Sequence, residues 1–170
     1  MRKKIFALLV LGIVFAANVC FAQDVRVSDY GVDGLVAKYN EFAPPEVKIT
    51  SPPQFDGRAN IAGYLYESYK AEISNGDALC WIIFLATPDG YVSKVMIIGS
   101  FSSGSPAICS AKMLLALGLN DEEYRNLVNS FDNNLNGYVW CSAKQRYIRH
   151  SLLDKITNGV GGIILSAFKN

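Results

Sequence analysis

The spacing of apolar residues predicts one helix near the start of the chain. Five of them recur at intervals of three and four positions: Val32, Leu35, Val36, Tyr39 and Phe42. Residues with this spacing lie on one face of an α-helix. The helix is expected to end at Ala43-Pro44-Pro45, because proline lacks the N–H group that would continue the hydrogen-bonding pattern. An irregular segment is predicted from there to about Arg58.

Alternating polar and apolar residues then predict three consecutive antiparallel strands. The first covers residues 59–73, has tyrosines on both faces, and ends at the turn Ser74-Asn75-Gly76-Asp77. The second, residues 79–86, is almost wholly apolar, which is typical of a strand buried on both faces in the middle of a sheet. Thr87-Pro88-Asp89-Gly90 favours another turn, after which residues 91–99 return as the third strand.

Two helices are predicted after these strands. Ser105 is expected as the N-cap of the first, with Pro106 as its first residue and Gly118 just past its end. Asn120 and Glu123 have the spacing of a capping box, which predicts the start of the second helix. The apolar face of that second helix is predicted to hold five residues: Tyr124, Leu127, Val128, Phe131 and Leu135.

The C-terminal part of the chain predicts further strands. Residues 138–142 and 147–152 have the pattern of a hairpin around Lys144-Gln145, and residues 163–168 form a last strand. Residues 151–157 fit either a strand or a short helix capped by Ser151. The order α-βββ-αα-βββ is typical of α+β folds. We therefore predict a single α+β domain with an antiparallel sheet of about five to six strands and helices packed on one face.

Residues 1–22 have the pattern of a secretory signal peptide. Basic residues at positions 2–4 precede an apolar run of 13 residues, and Cys20-Phe21-Ala22 places small side chains before a cut ahead of Gln23. The run is shorter than the roughly 20 apolar residues of a membrane-spanning helix. Val19 is too bulky for the position before the cysteine of a lipoprotein signal. We expect export to the periplasm or the exterior, with residues 23–170 as one domain and no stable membrane anchor after cleavage.

The charge of the mature chain argues against a nucleic-acid partner. The whole sequence has 16 Lys and Arg residues against 15 Asp and Glu, and loss of the three basic leader residues leaves a net charge of −2. Such a balance gives no basic surface for binding phosphates. The glycine-containing segments 99–104 and 159–162 match no phosphate-binding motif, so no cofactor is predicted.

The mature chain keeps three cysteines, Cys80, Cys109 and Cys141, in a compartment that favours disulfides. Cys80 opens the second predicted strand, and the connections place the helix start that carries Cys109 at the same end of the sheet. We predict a Cys80–Cys109 disulfide with Cys141 buried and unpaired, and Cys109–Cys141 is the alternative pairing. The cysteines form no Cys-x-x-Cys pair, so no metal site is predicted.

A thiol-dependent enzyme is the alternative function. Cys109 lies near a helix N-terminus, where the partial positive charge lowers a thiol pKa. Cys141 would share a strand face with His150, the only histidine, if Lys144-Gln145 formed a two-residue turn. Buried structural roles are commoner for such residues, and no other acid–base pair is apparent. We therefore predict no catalytic residue.

Aromatic residues on the predicted strands favour a binding function. Tyrosine and tryptophan give large, rigid contact areas on a sheet at a small entropy cost. We expect a non-enzymatic module that binds another envelope or secreted protein through an aromatic sheet face. The candidate binding residues are Tyr64, Tyr66, Tyr69, Trp140, Tyr147 and Arg149.

Overall fold

A computed structural model describes residues 26–61, 63–75, 78–132, 135–157 and 160–168. The predicted signal peptide, residues 1–22, lies outside this part of the chain. The described residues form three α-helices and seven strands: α1 Val32–Phe42, β1 Gln54–Ile61, β2 Tyr64–Asn75, β3 Ala78–Ala86, β4 Val92–Ser100, α2 Ser105–Ala116, α3 Asp121–Asn129, β5 Asn136–Cys141, β6 Arg146–Thr157 and β7 Val160–Phe168.

The strands form one antiparallel sheet in the order β1-β2-β3-β4-β7-β6-β5. The predicted α+β class is confirmed, but the predicted count of five to six strands is wrong. The prediction treated the segment up to Arg58 as irregular and residues 59–73 as one strand. Instead Ile61 pairs with Tyr64 across a tight turn, where Gly63 has a φ of +86° that other residues rarely adopt. This turn makes β1 a separate edge strand.

The segment that fitted either a strand or a helix belongs to β6. Its first part pairs with β7, with Ser151 opposite Ile164 and Leu152 opposite Ile163, before an irregularity ahead of Thr157. Pairing with an apolar neighbouring strand outweighs the weak local preference for a helix capped by Ser151. The final strand β7 also begins three residues earlier than residue 163, where the sequence placed its start.

Side chains of the sheet alternate between two faces. On the first, here called the helix face, strand residues such as Phe84 and Ile97 join residues of all three helices in one buried cluster. Leu35 of α1, Met113 of α2 and Leu127 of α3 are each no more than 1% exposed in it. The position of the helices is therefore set by burial against one side of the sheet.

The second face, here called the aromatic face, has a smaller apolar cluster at its centre. It consists of Tyr66, Ile83, Leu85, Met96 and Ile98. Because β3 and β4 contribute buried residues to both clusters, the prediction of a central strand buried on both faces is confirmed. The aromatic face also carries the rings that the sequence proposed for recognition.

The end of α2 and the start of α3 agree closely with the elements predicted from the sequence. Gly118 ends α2 with a φ of +100°, and Asn120 and Glu123 form the predicted capping box. Asn120 Oδ1 accepts the Glu123 N–H at 2.9 Å, and Glu123 Oε2 accepts the Asn120 N–H at 3.1 Å. Ser105 is the first residue of α2 and Gly104 is its N-cap, so the predicted cap is displaced by one position.

The predicted apolar face of the second helix is wrong at its far end. Helix α3 stops at Asn129, so Phe131 and Leu135 lie beyond it, and Val128 is 51% exposed. At this end, the hydroxyl and the N–H of Ser130 both donate to the Leu127 carbonyl and close the last turn of the helix.

We expect the Asn120→Ala substitution to lower the free energy of unfolding by about 1 kcal/mol, the usual cost of losing a side-chain N-cap. Chemical denaturation monitored by circular dichroism measures this loss. Asn126→Ala, an exposed position on the same helix, is the matched control and should change stability by less than about 0.5 kcal/mol. An equal effect of both substitutions would contradict the role of the cap.

Candidate functional site

The six candidate binding residues do not form one site. Tyr64 and Tyr66 lie on the aromatic face at the β2 edge, and Trp140, Tyr147 and Arg149 lie on the same face at the β5–β6 edge. Strands β3, β4 and β7 separate the two groups, a distance of about 19 Å from β2 to β6 at the usual strand spacing. The structure therefore offers two separate aromatic regions on this face.

Tyr69 lies on the opposite face from the other candidates, and Tyr66 is buried. Tyr69 lies on the helix face, where its ring packs edge-on against Phe55 at 5.7 Å. Tyr66 is 1% exposed, and its hydroxyl accepts a hydrogen bond from Lys94 Nζ at 2.7 Å. Of the three tyrosines on β2, only Tyr64 is well exposed, at 42%.

The other edge carries a continuous row of rings. Trp140 of β5, Tyr147 of β6 and Phe168 of β7 are direct cross-strand partners. The Trp140 and Tyr147 rings meet edge-on with centroids 5.1 Å apart, and the Tyr147 and Phe168 rings stack at 5.2 Å. Tyr138 packs edge-on against Phe168 at 5.8 Å. We call these four rings, together with Arg149, the aromatic corner.

Arg149 supplies the positive charge of the aromatic corner. Its guanidinium lies 5.6 Å from the centre of the Tyr138 ring and donates to Asn136 Oδ1 at 2.9 Å. Within the described part of the chain, its buried Nε–H has no hydrogen-bond partner. The side chain is thus held in place by a neighbouring ring and amide and keeps a donor that no described residue uses.

Two rings of the corner were not among the candidate residues. Tyr138 lies two positions before Trp140, so strand alternation alone places both on one face and could have identified it. Phe168 has no comparable signal, because its contact with Tyr147 depends on β7 pairing with β6. The exposed surface of the corner comes mainly from Trp140, at 41%, and Tyr138, at 37%.

The turn that positions these rings differs from the expected one. Cys141 pairs with Arg146, so the connection between β5 and β6 is the four residues 142–145, with Gln145 at a φ of +50°. Trp140 and Tyr147 still share one face of the sheet, because a shift of the pairing by two residues leaves each side chain on its face. The same shift places His150 opposite Gly137, about 13 Å along the strand from Cys141. A Cys141–His150 pair is therefore not formed.

The outer edge of β5 is covered by side chains from the α3 region. The N–H groups of Asn136, Tyr138 and Ser142 donate to Asp132 Oδ1, Ser130 Oγ and Glu123 Oε1, at 3.0, 2.7 and 2.8 Å. Burial raises the pKa of Glu123, but its hydrogen bonds from Ser142 and Asn120 outweigh burial and keep the pKa below its ordinary value. Because these three donors are occupied, much of this edge is closed to an added strand.

The three cysteines of the described residues, Cys80, Cys109 and Cys141, are fully buried in the core. The structure brings Cys80 and Cys109 together with their sulfur atoms 4.0 Å apart, which is not bonding distance, and the predicted disulfide stays a prediction. The hydrogen bond from Cys80 to Cys109 raises the pKa of Cys80 and lowers the pKa of Cys109. Burial raises the pKa of Cys141. Full burial closes all three thiols to a substrate in this conformation.

His150 is a core residue. Its Nε2 lies 2.9 Å from Ser110 Oγ, and Phe131 packs edge-on against its ring at 5.1 Å. Its Nδ1 is buried without a hydrogen-bond partner among the described residues. Burial lowers the pKa of His150 to about 4, so the imidazole is neutral at pH 7.

In the described segments of the chain, no group of three or more His, Cys, Asp and Glu side chains has the arrangement of a metal site. None of the helices in these segments is both long and apolar enough to span a membrane.

The chain was also compared with known proteins. A scan against protein-family models found no match, and neither did a search of curated proteins or a search of solved structures. The function is therefore inferred from the geometry of the chain itself.

Proposed function

We propose that this protein is an exported, non-enzymatic module that binds another envelope or secreted protein through its aromatic corner. The observation that carries the proposal is the paired row of Trp140, Tyr147 and Phe168 across three neighbouring strands. Export rests on the signal-peptide pattern of residues 1–22.

The composition of the corner is that of a protein-binding centre. Tryptophan, tyrosine and arginine are the residues most enriched among those that dominate binding energy. Ring-on-ring contacts fix Tyr147 between Trp140 and Phe168, so few side-chain rotations remain to be lost when a partner binds.

The lowered pKa of Cys109 favours the alternative of a thiol-dependent enzyme, but the burial of the thiols opposes it. A catalytic thiol needs access to substrate and a base within hydrogen-bond reach. Cys80, Cys109 and Cys141 are each 0% exposed, and the imidazole Nε2 of His150 faces Ser110.

We expect Trp140→Ala to weaken partner binding at least about 30-fold, the effect of losing a central aromatic contact worth about 2 kcal/mol. The experiment captures partners from envelope extracts of the native host on the mature protein, then measures Kd with the purified partner. Since Trp140 is 41% exposed, the substitution should leave the fold intact, which circular dichroism checks.

Val128→Ser is the matched control, because Val128 is an equally accessible apolar residue, 51% exposed, on α3. Tyr64→Ala tests the separate aromatic region at the β2 edge, and the proposal expects it to keep full affinity. Capture that Trp140→Ala leaves unchanged would refute binding through the corner. Loss of capture with Tyr64→Ala alone would place the binding surface at the opposite edge.

A further inference from the structure

We infer that the sheet has a second interaction site, independent of the aromatic corner, at which an extended segment of a partner protein adds as a strand to β2. The site is the stretch of β2 beyond the start of β1. Gln54, the first residue of β1, pairs with Lys70, whereas β2 continues to Asn75. Over residues 71–75, β2 therefore pairs with β3 on one side and with no described strand on the other.

The sequence explains why β1 does not extend along this stretch. Pro52 and Pro53 immediately precede β1 and have no N–H group to donate to a neighbouring strand. The main chain before them is used elsewhere: the N–H and carbonyl of Ile49 both bond to the Asn40 amide side chain, at 2.9 and 2.8 Å. The Val47 carbonyl accepts the Tyr39 hydroxyl at 2.8 Å. The preceding loop is thus tied to α1 and does not pair with this stretch of β2, which has no other strand partner among the described residues.

Two hairpin turns identify which main-chain groups face the unpaired side. The residues that flank a two-residue turn direct their N–H and C=O groups at each other. Asn75 pairs with Ala78 in this way, so Asn75 and alternate residues before it face β3. Tyr64 pairs with Ile61 in the same way, so Tyr64 and alternate residues after it face the β1 side. Both turns assign the outward direction to Glu72 and Ser74.

A groove lies along this edge. Its volume is about 640 Å³, and it is bounded by the loop from Pro45 to Pro52, the start of β1, and residues 70–73 of β2. Five residues of β2 extend about 17 Å at the usual rise per residue. An unpaired sheet edge beside a groove is the arrangement that recognises extended peptides through main-chain hydrogen bonds.

The side chains beside the edge define the chemistry of the occupant. Ala71 and Ile73 line the groove on the helix face, whereas Lys70 and Glu72 lie on the other face. An added strand alternates its side chains between the same two faces. The occupant is therefore an extended segment with small apolar residues at alternate positions and polar residues between them. Three acidic residues, Glu46, Asp56 and Glu72, line the groove against two basic ones, Lys48 and Lys70, so a basic residue opposite Glu72 is favoured.

The test uses a defined probe, the peptide acetyl-Thr-Val-Lys-Val-Thr-amide, with the mature protein. We expect binding with a Kd of about 0.1–1 mM, the range for a few main-chain hydrogen bonds with little apolar burial. The amide protons of Glu72 and Ser74 should become protected from hydrogen exchange, measured by NMR. The control peptide carries an N-methyl group on its central lysine, which removes one donor, and should bind at least tenfold more weakly.

Two variants of the protein, in place of variants of the peptide, also test the site. Glu72→Pro removes an outward-facing N–H together with the carboxylate and should abolish peptide binding, and proline is tolerated at a sheet edge. Glu72→Thr keeps that N–H and should retain binding within about threefold. If Glu72→Pro does not fold, the N-methyl peptide still decides the matter.

Three results would overturn the inference. One is an absence of binding at 5 mM peptide, and another is equal binding of the two peptides. The third is a dimer in analytical ultracentrifugation that Glu72→Pro dissociates, since the occupant would then be a second copy of this chain rather than a segment of another protein.

Discussion

Reduction of the exported protein is expected to lower its free energy of unfolding by about 3–4 kcal/mol. The reason is the predicted Cys80–Cys109 disulfide, whose two positions are 29 residues apart in the chain. A cross-link over a loop of this size restricts the unfolded chain by about that amount. The sulfur atoms already lie 4.0 Å apart in the thiol form, so a small movement of the two side chains brings them into bonding range.

Denaturant titrations with and without dithiothreitol measure this effect. Cys109→Ala should remove the response to dithiothreitol, whereas Cys141→Ala should keep it, because Cys141 is predicted to be unpaired. Peptide mapping without reductant should give a peptide that joins residues 80 and 109. A dominant peptide containing Cys141, or three free thiols in protein taken from its native compartment, would show that the pairing is wrong.

The neighbourhood of Cys80 and Cys109 could be predicted because it depends only on local connections. A hairpin returns the chain to the end of the sheet where Cys80 lies, and a short loop then leads to the helix that carries Cys109. The same locality explains the success with the capping box of Asn120 and Glu123 and with the central apolar strand. In each case the deciding interaction lies within a few residues or within one hairpin.

The features that the sequence did not predict depend on the φ angle of single residues or on the pairing of strands that are far apart in the sequence. A single positive φ at Gly63 divides one apparent strand into β1 and β2, and alternation continues almost unbroken across the turn. The β5–β6 connection has four residues instead of two, and Gln145 in it adopts a φ of +50°. A positive φ is usually indicated by a glycine in the sequence, and this position has none. The predicted strand count and the expected two-residue hairpin turn were therefore wrong.

The candidate site shows the same division between local and distant information. Alternation placed Trp140 and Tyr147 on one face, but it could not show that Tyr64 lies four strands from Tyr147. That distance follows from the insertion of β7 between β4 and β6, which also brings Phe168 against Tyr147. Sequence patterns thus identified the type of surface, and the order of strands determined which residues share it.

The second large expected effect is a loss of stability as the pH falls below neutrality. His150 has a folded-state pKa of about 4 against an ordinary value of 6.5, because its ring is buried. The unfolded chain therefore binds a proton at this residue below pH 6.5, while the folded chain does not until about pH 4. Stability falls through this interval and the contribution levels off below pH 4, with a total loss of about 3 kcal/mol.

Between pH 7 and pH 5 the linkage from His150 amounts to about 2 kcal/mol. This window avoids most carboxylate titration: the lowered pKa values of Asp29, Asp89 and Glu123 cost stability only at more acidic pH. Denaturant unfolding at the two pH values measures the difference. Because His150 is the only histidine in the chain, His150→Gln should remove nearly all of the change, whatever its effect on stability at pH 7.

The Ser110→Ala substitution tests whether burial or hydrogen bonding lowers the pKa of His150. The alanine side chain cannot bond to His150 Nε2, but the imidazole ring stays buried against Phe131. The loss of stability between pH 7 and pH 5 should therefore persist. An unchanged pH dependence in His150→Gln would mean that another group controls acid sensitivity. Abolition of the pH dependence by Ser110→Ala would instead assign it to the Ser110–His150 hydrogen bond, because burial alone would then leave the pKa of His150 near its ordinary value.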